Sequence, residues 1–157
     1  MKAKYPFLIF FLLITQAAGL LGASFTTPAI PTWYASINKP FFNPPNWIFA
    51  PVWTILYILM AIAAYYISIS KVAKRIKRQA LIYYFIQLVL NSLWSMVFFG
   101  LRNPLLGFLI ILILWTMIFL TMLKFLKIKN ISFYLMLPYI SWVSFAAVLN
   151  FSIVILN

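Results

Sequence analysis

Five apolar stretches of this chain contain no charged side chain: Tyr5–Phe25, Trp47–Ile69, Ala80–Phe99, Pro104–Leu123 and Phe133–Leu156. A bilayer core about 30 Å thick is crossed by roughly 20 helical residues, and each stretch reaches that length. Backbone N–H and C=O groups cannot be hydrated inside lipid, so each stretch must satisfy them internally as a helix. Three of the connections are short, which makes successive helices antiparallel neighbours. The fourth, residues 26–46, is long. The pattern predicts an all-α integral membrane protein, a five-transmembrane-helix bundle formed as one domain over residues 1–157. Its helices are expected at about 5–25, 47–69, 80–99, 104–123 and 133–156, with no room left for a soluble domain.

Composition then narrows the chemistry. Charged residues make up only 8% of the chain, against about 25% in soluble domains. Asp, Glu, His and Cys are absent altogether. A carboxylate acid–base pair, a zinc or iron–sulfur centre, a thiol nucleophile, a disulfide and a carboxylate proton relay are therefore excluded. The net charge of +12 does not mark a nucleic-acid partner, because the cations lie between apolar runs instead of on one polar face. They sort by side. Lys2, Lys4, Lys71, Lys74, Arg75, Lys77, Arg78, Lys124, Lys127 and Lys129 fall on one side of the alternating helices, and only Lys39 and Arg102 on the other. By the positive-inside rule the N-terminus is expected in the cytoplasm and the C-terminus outside, with the protein in the cell (cytoplasmic) membrane. The Lys71–Arg78 cluster reads as an orientation determinant attracted to anionic head groups. Lys2 and Lys4 ahead of the first apolar run also resemble a signal peptide, but the run exceeds the usual core of about 7–15 residues, so we read it as a retained helix.

The long first connection holds Pro28, Pro31, Trp33, Tyr34, Lys39, Pro40, Phe41, Phe42, Pro44, Pro45 and Trp47. Proline fixes φ and pushes the preceding residue towards extended geometry, so this loop is stiff. It reads either as a lid over the mouth of the bundle or as a turn bearing an interfacial aromatic belt. Within the third helix, Gln87, Asn91, Trp94, Ser95 and Phe98 recur on one face. An amide in hydrocarbon must be bonded, so that face is expected to point inward. Trp53 and Tyr57 lie one turn apart on the second helix, and Trp142, Ala146 and Asn150 form a stripe on the fifth beyond Pro138. These faces are compatible with a pocket for a flat apolar ligand, though spacing alone favours helix packing through amide hydrogen bonds with no ligand. Gly19 with Ala23, and Ala18 with Gly22, are spaced for close helix contact.

The ordered set Trp33-Tyr34, Lys39-Pro40, Pro44-Pro45, Pro51-Val52-Trp53, Leu56-Tyr57, Asn91, Trp94-Ser95, Leu137-Pro138-Tyr139, Trp142, Phe145-Ala146 and Asn150 resembles the bacterial-type members of the TspO/MBR family. This is the family of the translocator protein, or peripheral-type benzodiazepine receptor. The resemblance implies a five-helix bundle, commonly a homodimer, with a pocket beneath the first loop. That pocket would take porphyrins such as protoporphyrin IX and flat apolar drugs such as isoquinoline carboxamides or benzodiazepines. Carried over by position, it would be built from Tyr34, Pro44, Phe49, Trp53, Tyr57, Gln87, Asn91, Trp94, Ser95, Trp142 and Ala146.

The same resemblance implies three roles, in decreasing order of expectation: a membrane receptor or sensor for tetrapyrroles, a promoter of light-dependent porphyrin degradation using Trp53 and Trp142, and a tetrapyrrole transporter. No cofactor is required in any of them, porphyrin being ligand or substrate. Sterol binding is not expected, because no Lys or Arg follows Tyr139. Carboxylates present in many relatives are also missing here.

Overall fold

A computed structural model describes residues 5–157. Helix α1 spans Tyr5–Ala29, and a single turn, α2, covers Trp33–Ser36. A 3-10 turn at Asn46–Ile48 leads into α3, Phe49–Ser68. Helix α4 spans Lys74–Ser95 and runs on as a π-helical turn, Met96–Gly100, before α5 (Pro104–Leu126) and α6 (Asn130–Leu156). Five of these helices are long and apolar enough to cross a membrane. The expected bundle is thus observed, with α1 packed into it through buried Phe11, Thr15 and Gly22. Lys2 and Lys4 lie outside the described residues.

Four of the five helices outrun their apolar stretches, while α3 falls within the expected 47–69. α1 continues past Phe25 to Ala29, α4 begins at Lys74 instead of Ala80, α5 ends at Leu126 and α6 begins at Asn130. Hydropathy marks what lipid tolerates, whereas at the start of α4 and the end of α5 hydrogen bonding continues through helix-favouring Lys and Arg, whose long stems carry their charges outward. Lys77 shows this, its ammonium donating to the carbonyls of Ser68 (3.1 Å) and Ser70 (3.0 Å) at the end of α3. Chain entry into α5 follows from Asn103-Pro104: Asn103 Oδ1 caps the Leu106 N–H at 3.0 Å, and Pro104 fills the first turn.

Two devices bring the helices close. Ala61, Ala63 and Ala64 of α3 are fully buried, and Ser132 of α6 donates to the Ala63 carbonyl at 2.9 Å. On α1, a Cβ at Gly19 would stand 2.3 Å from the Tyr57 ring, and one at Gly22 would stand 3.0 Å from Ser95 Oγ. Glycine at these positions is what allows α1 to approach α3 and α4. Among the described residues every fully buried side-chain polar atom has a partner. Thr15 and Tyr84, for example, bond hydroxyl to hydroxyl at 2.5 Å between α1 and α4.

Candidate ligand cavity

The predicted inward face of α4 is inward: Gln87, Asn91, Trp94, Ser95 and Phe98 are all buried. Its amides, however, bond to protein. Tyr57 O–H donates to Asn91 Oδ1 (2.6 Å), Asn91 Nδ2 donates to Tyr139 Oη (3.0 Å), and Tyr139 O–H donates to Gln87 Oε1 (2.8 Å). This chain of bonds ties α3, α4 and α6 together. A second tie lies nearer the loop end, where Trp94 Nε1 donates to Asn150 Oδ1 (3.2 Å) and Asn150 Nδ2 to the Pro104 carbonyl (2.8 Å).

Above the amide chain the helices carry rings. Trp53 stacks on Tyr57, with centroids 5.5 Å apart and planes at 27°, and meets Tyr139 edge-on. The wide π turn, closed by the Leu101 N–H to the Met96 carbonyl (2.9 Å), buries the consecutive rings Phe98 and Phe99 together. Trp94 stacks on Phe98 at 5.5 Å. Together Phe49, Trp53, Trp94 and Phe99 form an aromatic partition with space on both sides.

On the α1 side is a cavity of about 450 Å³. Gln16, Gly19, Gly22, Thr26 and Thr27 contribute from α1, Asn46, Thr54 and Tyr57 from the second span, and Ser95 from α4. Among the described residues no charged side chain lines it. Thr27, Asn46 and Ser95 have no side-chain hydrogen-bond partner among the described residues, so their polar groups are free to meet a ligand. On the α6 side only about 20 Å³ remains, lined by Tyr34, Trp142, Ala146 and Asn150, enough for roughly one water. The expected site residues are therefore divided. Phe49, Trp53, Tyr57, Trp94 and Ser95 reach the large cavity; Tyr34, Trp142 and Ala146 lie behind the partition; Gln87 and Asn91 lie in the bonded layer and line neither space. Pro44 is half-buried in the loop, its carbonyl accepting from Asn43 Nδ2 at 3.1 Å.

At this end the first loop forms a bonded roof whose centre covers the α6-side space, and it meets the large cavity at Ile30 and Asn46. Tyr34 is 2% exposed, packs against Phe49 and Phe99, and donates to Asn43 Oδ1 at 2.5 Å. Burial pushes its hydroxyl up to about 12. The Lys39 ammonium is spent on the carbonyls of Tyr34 (2.7 Å) and Ile37 (2.9 Å) and lies over the Tyr34 ring.

Sequence reasoning missed the contribution of α1. Gln16 is the sole carboxamide in the first apolar run, and Gly19 and Gly22 flank the same face, which was the available signal. Among the described residues no cluster of metal-ligating side chains exists. The arrangement is suited to holding a flat, largely apolar molecule by ring contact and a few neutral hydrogen bonds.

A model of the TspO/MBR family matches residues 11–156. The chain is 42% identical to the tryptophan-rich protein TspO of Archaeoglobus fulgidus over 146 residues, 93% of this chain and 94% of that protein. It is 38% identical to protein CrtK of Rhodobacter capsulatus, covering 89% and 86% of the two chains. It is 33% identical to the translocator protein of Ovis aries, covering 90% and 84%.

Proposed function

This chain belongs to the TspO/MBR family of membrane proteins, and from that premise we propose that it is a receptor that binds porphyrins and similar flat apolar molecules in the cavity between α1 and α3. Relatives named tryptophan-rich sensory protein and translocator protein give the family a sensor or transporter character. The observation that carries the finer reading is the cavity itself. Its volume of about 450 Å³ falls within the roughly 300–1,000 Å³ usual for small-molecule sites. Trp53 and Phe49 supply ring faces to it, and Thr27, Asn46 and Ser95 supply neutral polar groups. Isoquinoline carboxamides, flat and uncharged, suit the same walls.

Trp53 also favours a second reading. It stands in the cavity wall stacked on Tyr57, and with Trp94 it is one of two indoles that a porphyrin bound there would meet under light. Trp142 is separated from the cavity by the partition. Photochemical degradation would thus involve Trp53 before Trp142.

Titration of the purified protein with protoporphyrin IX, first in the dark and then under illumination, tests both. Saturable quenching of Trp fluorescence with a stable porphyrin band supports the receptor. Light-driven loss of the band that needs Trp53 supports degradation, and no saturable binding overturns both. The bundle gathers Lys71–Arg78 and Lys124–Lys129 at one end, opposite Lys39 and Arg102, which supports a cytoplasmic N-terminus; reporter fusions at the two termini check it. A homodimer is part of the same reading, checked by the mass of the detergent-solubilised protein.

A further inference from the structure

We propose that the cavity is filled sideways, from the lipid phase, between α1 and α3, and that the first loop is a fixed roof and not a door. The inference rests on the ligand reading above and adds the route and the kind of molecule that can take it.

The first loop is held within itself and on its α6 flank. Asn157 pairs with the backbone of Asn38 through its carboxamide, Oδ1 accepting from the Asn38 N–H and Nδ2 donating to the Asn38 carbonyl, each at 3.0 Å. Asn38 Nδ2 donates in turn to the Leu156 carbonyl at 3.2 Å. With the Tyr34–Asn43 and Lys39 bonds, the loop is fastened to itself and to the far end of α6. Opening it upward would break all of these and uncover the Tyr34 ring.

The side wall is different. Among the lining residues, Leu20, Ala23 and Thr27 of α1 and Ala50 and Thr54 of α3 are exposed. They belong to membrane-crossing helices, so their exposure is to lipid. Ala23 and Ala50 present only methyl groups. Among the described residues the one hydrogen bond across this opening, Gln16 Nε2 to the Thr54 carbonyl, is 3.5 Å long and sits at the deep end. From Thr27 down to Gln16 the cleft extends about 16 Å at about 1.5 Å per residue, half of a hydrocarbon core about 30 Å thick. It therefore runs from the interface on the first-loop side to the bilayer midplane.

That geometry selects the ligand. A molecule dissolved in that leaflet, with an aromatic body and a polar end held at the interface, matches the cleft: rings against Trp53 and Tyr57, polar end beside Thr27 and Asn46. With no cation in the lining among the described residues, ionised groups of the ligand must stay among the head groups.

The test uses the protein in lipid nanodiscs. Binding and release of protoporphyrin IX are followed by stopped-flow through the porphyrin absorption band, for wild type, the rim variant Ala23→Phe/Ala50→Phe and the roof variant Asn157→Ala. Side entry predicts that the rim variant slows both rates about tenfold or more, while Asn157→Ala leaves them within about twofold. Faster exchange in Asn157→Ala with an unchanged rim variant would overturn the route. A ligand-free measurement separates this from failure of the porphyrin reading. Lipids brominated along the acyl chains should quench the emission that Trp53→Phe removes, and aqueous iodide should not. Iodide quenching of that emission without bromolipid quenching would refute the side opening even if no porphyrin binds.

Discussion

Asn91 is the residue whose replacement most sharply tests how the bundle is held. Its carboxamide accepts from Tyr57 O–H at 2.6 Å and donates to Tyr139 Oη at 3.0 Å, so Asn91→Leu deletes two bonds. They are not equivalent. Tyr139 still donates to Gln87 Oε1, whereas Tyr57 is left with a buried hydroxyl and no acceptor. Hydrogen bonds between membrane helices average about 0.6 kcal/mol, which puts two near 1.2 kcal/mol. A stranded buried donor costs about 1–3 kcal/mol, so the expected loss is about 1–3 kcal/mol and is dominated by Tyr57. Tyr57→Phe alone strands Asn91 Oδ1 and should cost about 1 kcal/mol or more. Combining the two removes both orphans, so the double variant should be more stable than the sum of the singles requires, with a coupling of about 1 kcal/mol or more. Unfolding in mixed detergent micelles, followed by circular dichroism, measures all four corners of the cycle. Additive losses within about 0.3–0.5 kcal/mol would show that the amide chain does not tie α3 to α4 as described. Because Asn91 lies outside the cavity wall, porphyrin affinity should fall less than stability suggests.

Gly19→Ala should destabilise by about 1–3 kcal/mol, since its new Cβ meets a Tyr57 ring fixed by the Asn91 bond; Gly22→Ala, facing a hydroxyl at 3.0 Å, should cost less in the same unfolding assay. Trp53→Phe should weaken porphyrin binding several-fold and Trp142→Phe less than twofold, read from equilibrium titrations of folded variants; the reverse order would put the ligand on the α6 side of the partition. Affinity for an uncharged isoquinoline carboxamide should be flat from about pH 5 to 9, because no side chain here has an ordinary pKa in that window. The raised Tyr34 value means that the stability its burial adds is complete below pH 10 and is lost as pH climbs towards about 12; thermal melts across that range check the sign.

Lipid imposes so few solutions that the five spans followed from charge-free length alone, and the α4 face followed from where amides can be tolerated. What the pattern does not carry is partnership. Gln87 and Asn91 have the composition of ligand-binding groups, but their bonds go to Tyr57 and Tyr139 on other helices, a pairing with no sequence spacing to reveal it. Trp142 and Ala146 lie on the expected stripe, yet Phe49, Trp53, Trp94 and Phe99 stand between them and the large cavity. The contribution of α1 was obscured for a similar reason: Gly19 and Gly22 read as close contact, which they make, and that contact also shapes a cavity wall. The π turn after Ser95 has no local signature, since Met-Val-Phe-Phe-Gly fits an ordinary helix end.

That turn works as an angular offset in the molecule. One additional residue per hydrogen-bonded ring advances the chain by about 100° relative to an uninterrupted α-helix, so every group beyond Gly100 has its compass bearing set there. The Asn103 cap, the Pro104 carbonyl that holds Asn150, and the direction in which α5 departs all inherit that rotation. Shortening the segment by one residue would leave the hydropathy profile almost untouched while turning the α4–α5 hairpin away from α6. The alignment of α4, α5 and α6 is thus tuned by the count of residues in one turn, a quantity that substitutions preserve and single-residue insertions or deletions do not.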